Sequence, residues 1–151
     1  VEVLRDISPL LIDEGFLGFE NEQFVNSGQV MAAVPHQPVV QAMIEEYKKL
    51  HFACADGSVM PVGCPHLNTD VMERFGLVRN GREQMVAGIH VYPADYFNPL
   101  DSVTGKLSKT ENTYSIHWYS MSWLPKHIRL RSKIVRFCKR TLGRDIFIWK
   151  K

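Results

Sequence analysis

Apolar and polar residues change period several times along this chain, and each change predicts an element. Residues 1–4 read as a short strand. Ser8 and Pro9 then suit the N-cap and first position of a brief helical turn running to Leu11. Residues 16–19 and 30–34 are strand-like, separated by a polar stretch at 20–23 and by the corner Asn26-Ser27-Gly28. From Pro38 onward, Val39, Val40, Met43, Ile44, Tyr47 and Leu50 recur at helical spacing, with Glu45, Glu46, Lys48 and Lys49 between them. Asp56-Gly57 predicts a loop, and a second helix over 66–75 stops at Gly76. Residues 85–92 predict a strand, and 93–107 a long, turn-rich loop. Alternation resumes up to Ile116, the mark of a short buried strand that carries His117 at its end. A polar and aromatic loop closed by Trp123 and Pro125 follows. The final helix spans 124–142, with Ile128, Ile134, Val135, Cys138 and Leu142 near one face and Gly143 as its C-cap. The order is mixed α/β without internal repeats.

Composition adds a boundary. The 151 residues, 45% of them apolar, suit one domain with a substantial core. The formal charge of +2 conceals an acidic body and a basic tail. Residues 1–123 hold 8 Lys/Arg against 15 Asp/Glu, a net of −7, and 124–151 hold 10 against one, a net of +9. A tail of that sign expects an anionic partner, such as a membrane surface. Three cysteines at unpatterned spacing read as free thiols of a reducing compartment, hence a cytoplasmic location. Cys54, Cys64, His66 and Cys138 match no standard zinc spacing, and no structural zinc is expected. No glycine-rich dinucleotide or P-loop motif occurs, and no nucleic-acid module is recognisable.

The segment from Thr113 to Trp123 concentrates one histidine, four aromatics, one threonine and three serines in eleven residues. It resembles the T-Y-x-I-H-H-W-x-x-S-W segment of glycosyltransferase family 32, the capsular-polysaccharide and initiation-mannosyltransferase type. Thr113, Tyr114, Ile116, His117, Ser122 and Trp123 match, and Trp118 stands where a second histidine is usual. Phe24 through Ala33, followed by Pro35-His36-Gln37-Pro38, is similar to the family's N-G/S-G strand and the helix start after it. Gly63 through Thr69 resembles G-P-x-x-x-T with one inserted residue. Tyr96 through Pro99 and Thr104-Gly105 resemble Y-F-x-P and T-G-x. The matches keep the family's order over about the first 124 residues.

That resemblance implies the C-terminal portion of a GT-A-like nucleotide-sugar transferase fold, a mixed sheet flanked by helices. Residues 1–124 would be the second half of the catalytic domain, and 125–151 a basic helix and tail. The implied reaction moves a hexose from a nucleoside-diphosphate sugar onto a polysaccharide or lipid-linked glycan acceptor, at the cytoplasmic face of the membrane. His117 would ligate Mn²⁺ or Mg²⁺ on the donor diphosphate, where positive charge stabilises the leaving group. Ser122 and Trp123 would form a lid, and Asn26, Ser27, Gly28 and Thr69 would contact the donor. Asp70 is the candidate catalytic carboxylate.

Each assignment has a structural rival. His117 could be a buried strand-end imidazole bonded to a backbone carbonyl. Trp123 could anchor the helix after it, Gly28 could serve a turn of positive φ, and Asp70 could be a helix N-terminal acid facing the helix dipole. The metal-holding Asp-x-Asp of the family occurs nowhere in the chain. In the family it immediately precedes a Val-Glu-Val-like strand, so the resemblance implies a larger parent enzyme whose first half lies upstream of Val1. The rival function is a non-catalytic α/β module that binds an anionic membrane surface or a protein partner through its tail.

Overall fold

A computed structural model describes residues 1–51, 63–120, 122 and 124–142, excluding the Leu142 side chain. Its centre is a four-stranded mixed open sheet in the order β3-β2-β5-β4, built from β2 (Gly15–Gly18), β3 (Met31–Ala33), β4 (Gln84–Val86) and β5 (Ile89–Tyr92). Strands β2 and β5 run parallel, pairing Phe16 with His90 and Leu17 with Val91, and the two edge strands are antiparallel. A separate two-stranded ribbon joins β1 (Glu2–Val3) to β6 (Ser115–Ile116), with Glu2 opposite Ile116.

Period-two alternation sorts the central strands onto two faces. Leu17, Ile89 and Val91 share a core with Val39 and Met43 of helix α1 (Pro38–Lys48) and with Val71 and Met72 of helix α2 (Cys64–Arg74). Phe16 and Tyr92 face the other way, into an aromatic core with Leu10 and Phe97. Phe97 ends a short helix, α3 (Ala94–Phe97), within the stretch expected to be irregular. Its ring stacks on Phe16 at 5.6 Å and meets Tyr92 edge-on at 5.9 Å.

The helix limits have local causes. Buried Gln37 caps α1: its Oε1 accepts from Val39 N at 2.6 Å, while its Nε2 donates to the Ala87 carbonyl at 2.6 Å. One side chain thus starts the helix and ties it to the β4–β5 turn. Helix α2 ends in a Schellman arrangement, with Leu77 N bonding Met72 O and Gly76 N bonding Glu73 O around Gly76 at φ +101°. The strand expected over 85–92 is in fact a hairpin. Ala87 and Gly88 both take positive φ, 46° and 82°, the pattern of a two-residue type I′ turn. Helix α4 (Lys126–Leu142) matches the expected final helix. The predicted loop at Asp56-Gly57, the Gly143 cap, Cys54 and Trp123 lie outside the described residues.

Gly18 makes a sharp test of this packing. A Cβ there would stand 2.6 Å from Phe97 Cδ2, a buried ring atom with nowhere to move. Gly18→Ala should therefore cost about 1–3 kcal/mol by overpacking. Chemical denaturation reads this directly, and an unchanged midpoint would show that the aromatic core is looser than drawn.

Candidate functional site

The ribbon and the central sheet meet around one carboxylate, Glu20, two residues after the end of β2. Tyr119 donates its hydroxyl to Glu20 Oε1 at 3.1 Å, and the Asn26 amide donates to Oε2 at 2.8 Å. The Asn98 amide donates both to the Tyr119 oxygen at 2.7 Å and to the Glu20 carbonyl at 2.9 Å. Burial foremost, then the Glu20 charge, pushes the Tyr119 hydroxyl well above the ordinary phenol range, so it stays a neutral donor. Tyr119 also adopts φ 47°, a conformation of order 1–3 kcal/mol above the favoured regions for such a residue. The bonds to Glu20 and Asn98, with the Arg136 guanidinium 5.9 Å from its ring, hold it there.

His117 follows β6 and stands edge-on to Tyr119, with ring centroids 4.2 Å apart. The β1–β6 register brings it to the same end of the ribbon as Val1. Its Nδ1 is buried without a hydrogen-bond partner, so the backbone-carbonyl alternative does not describe that nitrogen. Burial holds its pKa below the ordinary histidine value, and the Glu20 charge only partly opposes this. The imidazole is therefore neutral near pH 7, the form that can donate a lone pair. Asn98 Oδ1, within this cluster, is also buried and unpartnered, as is Ser115 Oγ two residues before His117. A cleft of about 560 Å³ opens against Glu20 and Asn98, edged by Asp95, Asp101, Lys106 and Ser108.

The depressed histidine has a consequence for stability. The unfolded chain takes up a proton at its ordinary value of 6.5 while folded His117 does not. Stability should thus fall as pH drops from about 6.5 toward the lower native value, and be unaffected by this group above it. His117→Gln should flatten that part of a stability-versus-pH curve. A variant curve parallel to the parent's would remove His117 as the cause.

The residues expected from the sequence divide into two groups. Asn26 joins the Glu20 cluster, and its Oδ1 accepts from Gly28 N at 2.7 Å and from the Cys64 thiol at 3.4 Å. Gly28 lies in a turn but without positive φ, so the turn alternative does not explain the glycine. A Cβ there would come within 3.0 Å of Asn26 Oδ1, and close approach is the reason for glycine. Ser27 Oγ accepts from buried Asn68 at 2.7 Å, and Asn68 accepts from Tyr47 at 3.3 Å.

Thr69 and Asp70 are placed differently. The Thr69 hydroxyl donates to Pro65 O at 2.6 Å and accepts from Val25 N at 3.0 Å, which leaves it no proton for a donor sugar. Asp70 is exposed beyond the first turn of α2, and Arg79 holds its carboxylate at 2.7 Å. Neither the helix-start alternative nor a place in the Glu20 cluster describes it. Ser122 is exposed, and Trp118 donates its indole N–H to Glu2 at 2.7 Å, which pins the ribbon.

Sequence reasoning missed Glu20, Asn98 and Tyr119. The available signal was an acid placed directly after a run whose residues 15–19 are all buried. Among the described residues no three His, Cys, Asp or Glu side chains converge as a metal site, and Cys64 and Cys138 are free thiols. No described helix is long and apolar enough to cross a membrane. No protein-family model matches this chain, and neither does any curated protein or solved structure compared with it.

Proposed function

We propose that the chain forms part of a metal-dependent hexosyltransferase of the GT-A-like, family 32 kind. Its donor is a nucleoside-diphosphate sugar and its acceptor a polysaccharide or lipid-linked glycan. The observation that carries this reading is the neutral, unpartnered His117 Nδ1 at a strand end, beside the Glu20–Asn26–Tyr119 cluster, whose Glu20 in turn lines an open cleft.

A buried imidazole with a free nitrogen and a carboxylate nearby suits Mn²⁺ better than Mg²⁺, which prefers oxygen donors. His117 is the side chain that would hold the ion, as one ligand of a larger set. When bound, a divalent cation supplies positive charge opposite the leaving diphosphate. The Glu20 carboxylate and Asn98 Oδ1 offer acceptors at the cleft edge for sugar hydroxyls. The Asn26-Ser27-Gly28 corner brings backbone close to the same cluster, and neutral Tyr119 fixes the orientation of Glu20.

Calorimetric titration of UDP- and GDP-sugars into the full-length gene product, with and without Mn²⁺, tests the reading. Binding should require the metal and be lost in His117→Ala. If neither donor class binds in the presence of Mn²⁺, the non-catalytic module is the better account.

A further inference from the structure

Helix α4 carries seven Lys/Arg over Lys126–Leu142 and no acid. Half-buried Ser132, Val135 and Arg136 lie on its inward face, where Arg136 Nε bonds the Ser102 carbonyl at 3.0 Å. A groove of about 420 Å³ between this face and Ser102-Val103 marks the line of contact. The opposite side is apolar at its centre. Leu130, Ile134 and Phe137 are 60%, 49% and 57% exposed, and their spacing puts them on one stripe. Helical geometry sets Lys126, Lys133 and Arg140 along one border of that stripe, and Arg131 along the other.

An apolar stripe bordered by cations on both sides suits a helix lying in the plane of an anionic bilayer. The stripe enters the acyl boundary and the flanking cations meet headgroup phosphates. A solvated helix ordinarily mixes charge signs, and a helix buried in the body would turn these three residues inward. We propose that α4 is an in-plane membrane anchor for anionic lipid. Leu130, Ile134 and Phe137 are its inserted face, and Ser132, Val135 and Arg136 are its attachment to the body. Through Arg136, whose guanidinium also lies over Tyr119, the anchor is joined to the Glu20 cluster. That link would hold the cleft at a fixed distance from the bilayer. The proposal does not depend on the transferase reading.

Co-sedimentation of the full chain with vesicles tests it, comparing phosphatidylcholine alone with phosphatidylcholine mixed with phosphatidylglycerol. Binding is expected to the mixed vesicles only and to weaken with salt. Replacing both Ile134 and Phe137 by Glu should reduce it by about 10-fold or more, since each removes a large apolar side chain from the insertion. Because both residues are exposed, helical content and melting temperature should be unchanged. Replacement of Ser132 by Glu, on the inward face, should lower the melting temperature instead. No pelleting with mixed vesicles at low salt overturns the proposal, as does unaltered pelleting of the double variant. A concentration-dependent dimer abolished by the same double variant, without lipid binding, would assign the stripe to a second copy of the chain and also overturn it.

Discussion

His117→Ala in the full-length protein is expected to lower sugar-transfer turnover by on the order of 100-fold, the scale seen when one electrostatic stabiliser of a leaving group is removed. The loss should come with weaker dependence on Mn²⁺. Folding should be little affected, because the Nδ1 of this ring bonds nothing in the fold and the side chain is only half-buried. Its removal even relieves a desolvated group. Steady-state kinetics across a range of Mn²⁺ concentrations, paired with thermal melts, give two separable readings. Reduced turnover at an unchanged melting temperature supports the ligand role. Unchanged turnover at a reduced melting temperature would make His117 a packing partner of Tyr119 and nothing more.

The largest stability effect is expected from Phe97→Ala. Phe97 is fully buried and contacts four rings: Phe16, Tyr92, Tyr96 and Tyr114. Truncation removes its transfer energy and leaves a cavity walled by stiff aromatics that collapse poorly. The expected cost is about 3–5 kcal/mol, or a fall in melting temperature of roughly 10 °C. The site should suffer as well, because the next residue, Asn98, bonds both Tyr119 and the Glu20 carbonyl. A variant that melts much lower yet binds donor normally below its transition would show that the aromatic core and the Glu20 cluster are energetically separate.

Element types were legible in the chain wherever the pattern was long. The apolar spacing from Val39 to Met43, with Pro38 at the first turn, specified α1 with no tertiary information, and the basic run from Lys126 specified α4 in the same way. Short features were less legible. Residues 85–92 read as one strand because Ala87 looks unremarkable, and only the folded hairpin places it at positive φ. Ile44 and Tyr47 fit the apolar pattern of α1 but remain half exposed, since the helix turns Val39 and Met43 to the sheet.

For the candidate site, local sequence marked His117, which ends a recognisable strand, and Asn26, which sits on a recognisable corner. It misplaced Asp70 and Thr69, because an acid or hydroxyl on a helix looks the same whether it faces a cleft, an arginine or a carbonyl. Arg79 and Val25 decided between those fates, and both lie far from their partners along the chain or across a turn. Glu20 joins Asn26, Asn98 and Tyr119 over separations of up to 99 residues, and a single side chain carries no periodic signal of such distant bonds. The outward stripe of α4 is a further case. The sequence grouped Ile134 with Val135 on one apolar face of α4, but the structure separates them, Val135 half-buried beside the Arg136–Ser102 contact and Ile134 exposed. Sequence alone thus determined most of what repeats within a few residues, the longer helices, most strands and the basic tail, though Ser8 lies inside its short helix rather than capping it. Tertiary structure alone decided which polar groups meet and which face is left to solvent, because those outcomes depend on long-range burial and pairing.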